Sequence, residues 1–190
     1  MAQDIQVIDN FLKEEHFEPI SEYLLGPTCP WSFNEGIINP GIPKDSWQMV
    51  HTFYVGPQIS PAIEFMYPII ERVDPLVLLR IKANLTPKAP LITVTKPYHE
   101  DWNGLTKQGI SYMTGILYVN TCNGYTEFKN GEKVDSVANR MVIFQGDMYH
   151  GGSTTTNDIK RVVVNINWIP NPYEEKLVVP VSPKLKGLYA

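Results

Sequence analysis

The chain has 190 residues, of which 43% are hydrophobic and 19% charged, with a formal net charge of −4 at pH 7. That length and balance are those of one globular domain, residues 1–190, with a sizeable core. No basic stripe marks a nucleic-acid or anionic-membrane surface, and no apolar run approaches the ~20 residues that span a bilayer.

The 16 prolines and 13 glycines favour turns and short strands over a long helical bundle. Ile5 to Ile8 reads as a short strand closed by Asp9-Asn10. No basic segment precedes an apolar one at the start, so no signal peptide is expected and the location expected is cytoplasmic. Cys29 and Cys122 lie far apart and read as reduced packing thiols. A helix is predicted from Lys13 to Leu25, with Phe17, Ile20 and Leu24 at i, i+3 and i+7, and Pro19 kinking it or delaying its start. The segment Asn34 to Asp45 is long for a connector and reads either as a lid or as a plain surface excursion.

Gln48 to Val55 reads as a strand, and its His51, among apolar neighbours, as a structural hydrogen-bonder. A second helix is predicted from Pro61 to Val73, capped by Ser60, with an apolar face of Ile63, Met66, Tyr67 and Ile70 and a bend at Pro68. Strands then take over. Leu76 to Leu85 is one and Leu91 to Thr95 another, leading into His99-Glu100-Asp101 before a turn at Asn103-Gly104. Ile110 to Val119 follows, then a hairpin of Tyr125 to Phe128 and Lys133 to Val134 around Asn130-Gly131, a type I′ signal. Arg140 to Phe144, a turn before His150, and Arg161 to Ile169 complete the set.

Regular short strands after two helices predict a mainly β fold, a sandwich or jelly roll with the helices packed on one sheet. Helical support is expected over about 1–75, the β core over about 76–169 and a surface tail over 170–190. In the last strand Val162, Val164, Ile166 and Trp168 share one face, which needs a helical cover. Arg161, Val163, Asn165 and Asn167 share the other, which reads as the wall of a polar pocket.

The chemistry centres on Tyr98-His99-Glu100-Asp101-Trp102. Read as a strand or strand end, it projects His99 and Asp101 from one face, two-thirds of the triad that holds non-haem Fe(II). Alone the pair means little: with 4 His and 20 acidic residues in 190, chance supplies about 0.4 such spacings. Order adds what the pair lacks. His150 lies 51 residues on (150 − 99), so it comes from a different strand, and Arg161 opens the final strand 11 residues later (161 − 150). A guanidinium there would face the same cavity and match a carboxylate bidentately. Lys160 is the alternative anchor but lies on the opposite face. Trp102, Trp31, Trp47 and Tyr54 read as packing aromatics, with a substrate channel the alternative.

The order of these motifs resembles the Fe(II)/2-oxoglutarate-dependent oxygenases, most of all the prolyl 4-hydroxylase-like branch with its small stand-alone bacterial and bacteriophage members. The stretches that carry the resemblance are His99-Glu100-Asp101, Met113 to Asn120, Gly124 to Phe128, Ala138 to Phe144, and His150 through Arg161 to Trp168. Val7 to Leu12 resembles the family's N-terminal entry. Asn139 stands where the family often has Gly, and Asn tolerates the left-handed turn this implies. The resemblance implies a double-stranded β-helix, with Fe(II) held by His99, Asp101 and His150. It implies 2-oxoglutarate with its distal carboxylate on Arg161 and Tyr118, and Thr114 on the same strand face as Tyr118 at the co-substrate. The implied reaction consumes O2 and hydroxylates a C–H bond, yielding succinate and CO2, with ascorbate as a supporting reductant. The implied substrate is a protein or peptide residue such as proline, with a small molecule second. Two competitors share the fold: a cupin-like metal protein without oxygenase chemistry, and a non-catalytic binding module.

Overall fold

A computed structural model of the protein describes residues 5–34 and 47–172. In chain order the elements are β1 (Gln6–Ile8), α1 (Glu14–Leu25), β2 (Ser32–Asn34), β3 (Gln48–Val55), β4 (Gln58–Ile59), a 3-10 helix (Ile63–Met66), α2 (Tyr67–Val73) and β5 (Pro75–Pro87). There follow α3 (Asn103–Lys107), β6 (Met113–Tyr118), β7 (Tyr125–Phe128), β8 (Lys133–Asp135), β9 (Arg140–Gln145), β10 (His150–Gly152) and β11 (Lys160–Pro170).

The strands form two antiparallel sheets, a jelly roll. The major sheet runs β1-β9-β6-β11-β5-β3-β2, with β4 on β3; the minor sheet runs β10-β7-β8. Strand parity explains how the layers stack. Val162, Val164, Ile166 and Trp168 of β11 pack outward with Ile81 and Ala83 of β5 against Ile20 and Leu24 of α1 and Ile69 and Val73 of α2. The opposite face of the major sheet meets the minor sheet, where Ile116, Tyr118, Phe128, Val134, Phe144 and Val163 form a second apolar cluster. Burying these stripes away from water is what holds helices and sheets together.

Several local expectations change. The helix α1 runs unbroken through Pro19, which removes only one backbone donor while Ile20 and Leu24, both fully buried, hold the segment down. The second helix begins as a 3-10 turn and becomes α at Tyr67, so Pro68 falls in a first turn, where its missing N–H is harmless. That switch of pitch rotates the buried face to Met66, Ile69 and Val73 and leaves Tyr67 exposed. Leu91 to Thr95 is no strand: Val94 makes one bridge, to Ser153, and Leu91 is exposed. Asn103-Gly104 opens α3 instead of a turn, and the strand expected from Ile110 begins at Met113. In the β7–β8 hairpin only Gly131 takes positive φ, at 92°, with its N–H donating to Phe128 O, so the turn is not type I′. Asn139 does take the left-handed conformation, at φ 60°. Beyond Asn34 the expected loop to Asp45, and beyond residue 172 the expected tail, lie outside the described residues.

Candidate metal centre and its cavity

His99 and His150 are brought together by a single backbone bridge. Each N–H donates to the other's carbonyl, at 3.1 and 3.0 Å, and the two rings stand 5.0 Å apart. The bridge is an isolated one, and Asp101 lies in the turn after it, so tertiary packing rather than strand parity aims the carboxylate. Ligand atoms of His99, Asp101 and His150 all lie within 4.8 Å of one another, close enough to hold one metal ion. They face a cavity of about 560 Å³ between the sheets.

The donor set suits a divalent cation. Burial, then the neighbouring His150, lowers His99 to about 4, so its imidazole is neutral at pH 7 and keeps a lone pair to give. Burial pushes the Asp101 carboxyl up, but Arg80, His150 and a hydrogen bond from Asn167 outweigh it and hold it ionised. His150 Nδ1 lies 3.0 Å from the Met148 carbonyl; a proton there leaves Nε2 as a ligand. His99 Nδ1 is buried without a hydrogen-bond partner among the described residues, an orphan that a bound group would explain. Two imidazoles and a carboxylate with open positions are the ligand type of non-haem Fe(II), so the residues present fit that ion.

Behind Asp101 stands a second set of side chains. Arg80 Nη2 pairs with Asp101 Oδ1 at 2.8 Å and Asn167 Nδ2 donates to Asp101 Oδ2 at 2.8 Å. Thr114, fully buried, accepts from the same Asn167 amide at 3.0 Å. Thr114 therefore sits behind Asp101 and outside the cavity lining.

Arg161 lines the same cavity, 3% exposed, and pairs with no carboxylate among the described residues. Its Nε donates to Ser136 Oγ at 2.7 Å and its Nη2 to Thr126 Oγ1 at 3.2 Å. Burial pulls its pKa down while Tyr118 and Cys122 raise it again. A buried guanidinium without a counter-charge is costly, and a bound carboxylate would relieve it. Gly124 makes its position possible: a Cβ there would lie 2.6 Å from Arg161 Cδ. Tyr118 is fully buried beneath the guanidinium, 5.4 Å from ring centre to Cζ. Its hydroxyl donates to Thr126 Oγ1 at 2.8 Å and lies 3.2 Å from the Val134 carbonyl, so it too stands outside the cavity lining.

The remaining candidates are structural. His51 lies 3.1 Å from Pro30 O and 3.2 Å from Ser60 Oγ through its two ring nitrogens. Lys160 donates to Leu25 O at the end of α1, away from Arg161. Trp31 and Tyr54 pack on the core, Trp47 pairs with Phe33 at the surface, and Trp102 flanks Arg80 on the cavity wall. Cys29 and Cys122 are buried free thiols. Sequence reading missed Arg80, Lys82, Asn84 and Thr86, which all line the cavity from β5. Their signal was present: from Arg80 to Thr86 polar residues alternate with Ile81, Ala83 and Leu85.

No family model matches the sequence, and no curated protein does. Solved structures match it in fold. The non-haem α-ketoglutarate-dependent epimerase SnoN from nogalamycin biosynthesis aligns over 88% of this chain and 79% of its own, at TM-score 0.63 and 10% identity. A prolyl hydroxylase from Trichoplax adhaerens, solved with a hypoxia inducible factor peptide, aligns over 86% and 83%, at 0.60 and 13%. HygX from Streptomyces hygroscopicus, solved with nickel and 2-oxoglutarate, aligns over 91% and 85%, at 0.54 and 13%. The chain thus has the jelly-roll fold of 2-oxoglutarate-dependent oxygenases. Among the described residues no helix is long and apolar enough to cross a membrane.

Proposed function

We propose that this protein is an Fe(II)- and 2-oxoglutarate-dependent dioxygenase that hydroxylates a C–H bond. One observation carries the reading: a two-histidine, one-carboxylate cluster shares a cavity with a buried arginine that has no counter-charge among the described residues. His99, Asp101 and His150 would hold the iron, and Arg161 the distal carboxylate of 2-oxoglutarate. Tyr118 and Thr114 act one step back, Tyr118 supporting the guanidinium and Thr114 fixing Asn167 against Asp101. When bound, iron, co-substrate and O2 supply the oxidising power, with succinate and CO2 as co-products. The chain's part is to orient them: Ser136 and Thr126 fix the Arg161 fork, and Arg80 and Asn167 fix the Asp101 carboxylate.

The peptide complex of the Trichoplax enzyme supports a protein or peptide residue such as proline as substrate. The hygromycin B complex of HygX supports a small molecule as second choice. A cupin-like metal protein or a non-catalytic module would keep the cluster but give Arg161 no partner. Anaerobic addition of Fe(II) and 2-oxoglutarate is expected to produce the weak visible charge-transfer band of their chelate. Folded, metal-loaded protein without that band overturns the reading. Uncoupled succinate formation is expected to vanish in His99→Ala and His150→Ala.

A further inference from the structure

Three cations and two carboxylates line the cavity, and one cation has no assigned partner. Arg80 is paired with Asp101. Arg161 faces the proposed co-substrate. Lys82, on β5 between them and opposite Asn165 of β11, makes no ion pair or hydrogen bond among the described residues. Its surroundings are polar and unmet: Asn84 and Asn165 are 9% and 8% exposed, and the side-chain oxygen of each is buried without a partner among the described residues. Proteins seldom leave such groups unsatisfied unless a ligand completes them. Burial, then Arg80, also pulls the Lys82 amine down to about 8, so an anion beside it would be stabilising. The other lining carboxylate, Glu100, accepts from Thr106 Oγ1 and so is held toward α3.

We propose that the substrate carries a carboxylate or phosphate group that binds Lys82, flanked by N–H or O–H groups that donate to the side-chain oxygens of Asn84 and Asn165. This rests on the oxygenase reading above and narrows its substrate. A peptide substrate would present an acidic side chain or its own C-terminus near the oxidised carbon; a small-molecule substrate would be an acid. In formal charge, Fe(II) and 2-oxoglutarate cancel, and the three lining cations Arg80, Lys82 and Arg161 exceed the two lining carboxylates Glu100 and Asp101 by one. Lys82 is the cation left over, so the loaded cavity selects for a further negative charge.

The test uses the full chain loaded with Zn(II) and 2-oxoglutarate, its lysines carrying 13C-methyl labels. The Lys82 resonance is assigned by its loss in Lys82→Arg. At constant ionic strength, acetate or inorganic phosphate is expected to shift that resonance saturably, and acetamide to leave it in place. The anion that saturates at lower concentration names the group. In parallel, Lys82→Met is expected to change 2-oxoglutarate affinity by less than about twofold. A Lys82 resonance indifferent to both anions overturns the proposal. So does a loss of about tenfold or more in 2-oxoglutarate affinity, which would make Lys82 a co-substrate anchor. Wild-type protein that binds neither Zn(II) nor 2-oxoglutarate would instead overturn the oxygenase reading itself, and this narrowing with it.

Discussion

Arg80 and Asp101 are joined twice, once directly and once through Asn167. Arg80 Nη2 lies 2.8 Å from Asp101 Oδ1, Arg80 Nε donates to Asn167 Oδ1 at 3.0 Å, and Asn167 Nδ2 donates to Asp101 Oδ2 at 2.8 Å. The triangle fixes both carboxylate oxygens of a residue that lies in a turn and has no strand of its own to orient it. Replacing Arg80 by Met is expected to weaken metal binding by about 10–100-fold, the usual cost of losing such a supporting contact. Titration with Mn(II), alongside circular dichroism to confirm the fold, measures it. Unchanged affinity would show that Asn167 alone suffices.

The metal-free protein should lose stability as pH falls from about 6.5 toward about 4. His99 is held at about 4 in the fold against an ordinary 6.5, so the unfolded chain takes up the proton first. Its contribution is complete above the ordinary value and lost on acidification, by an amount on the order of 3 kcal/mol. Asp101, held below its own ordinary value, adds a loss of the same sign at lower pH. Urea unfolding across this range, with His99→Gln flattening the upper part, checks the assignment.

Lys82→Met is expected to stabilise the metal-free protein by about 3 kcal/mol below pH 8, since it removes a charge that burial disfavours. The advantage should shrink between about 8 and 10.5, where the wild-type amine gives up its proton in the fold before it does in the unfolded chain. Thermal melts of both proteins at pH 7 and pH 10.5 test the sign.

Gly124→Ala should act on the co-substrate and not on the metal. The added methyl meets Arg161 Cδ at 2.6 Å and the Thr154 carbonyl at 2.9 Å, so the guanidinium must move. A loss of about tenfold in 2-oxoglutarate affinity, about 1.4 kcal/mol, is expected with Mn(II) affinity intact.

Asn139→Ala should cost about 2–3 kcal/mol of global stability. Its side chain receives Leu12 N–H at 2.9 Å and donates to Leu12 O at 2.8 Å, tying the entry segment to β9. Its backbone is left-handed, which Ala resists, and both Leu12 groups would be left without that partner. Denaturant unfolding measures it.

Much of this was legible residue by residue. The two faces of β11 follow from alternation alone, and the helices that cover its apolar face follow from a 3.6-residue stripe. The same alternation in β5 is harder to see, because Ile81, Ala83 and Leu85 mark it as a buried strand and so mask its polar row. Leu91 to Thr95 satisfies the strand pattern with apolar and β-branched residues yet has no partner strand among the described residues to make it one. Tyr118 and Thr114 share strand parity with cavity residues, yet their neighbours Thr126, Val134 and Asn167 occupy their hydroxyls.

The sequence by itself determined which residues could meet: the order His99, Asp101, His150, Arg161 and the parity of the strands are local properties of the chain. Only the tertiary structure decided that they do. The bridge between His99 and His150, the Arg80–Asn167 hold on Asp101 and the placement of Lys82 opposite Asn165 all depend on register across the sheets. Register is set by how whole faces pack, and no run of neighbouring residues encodes it.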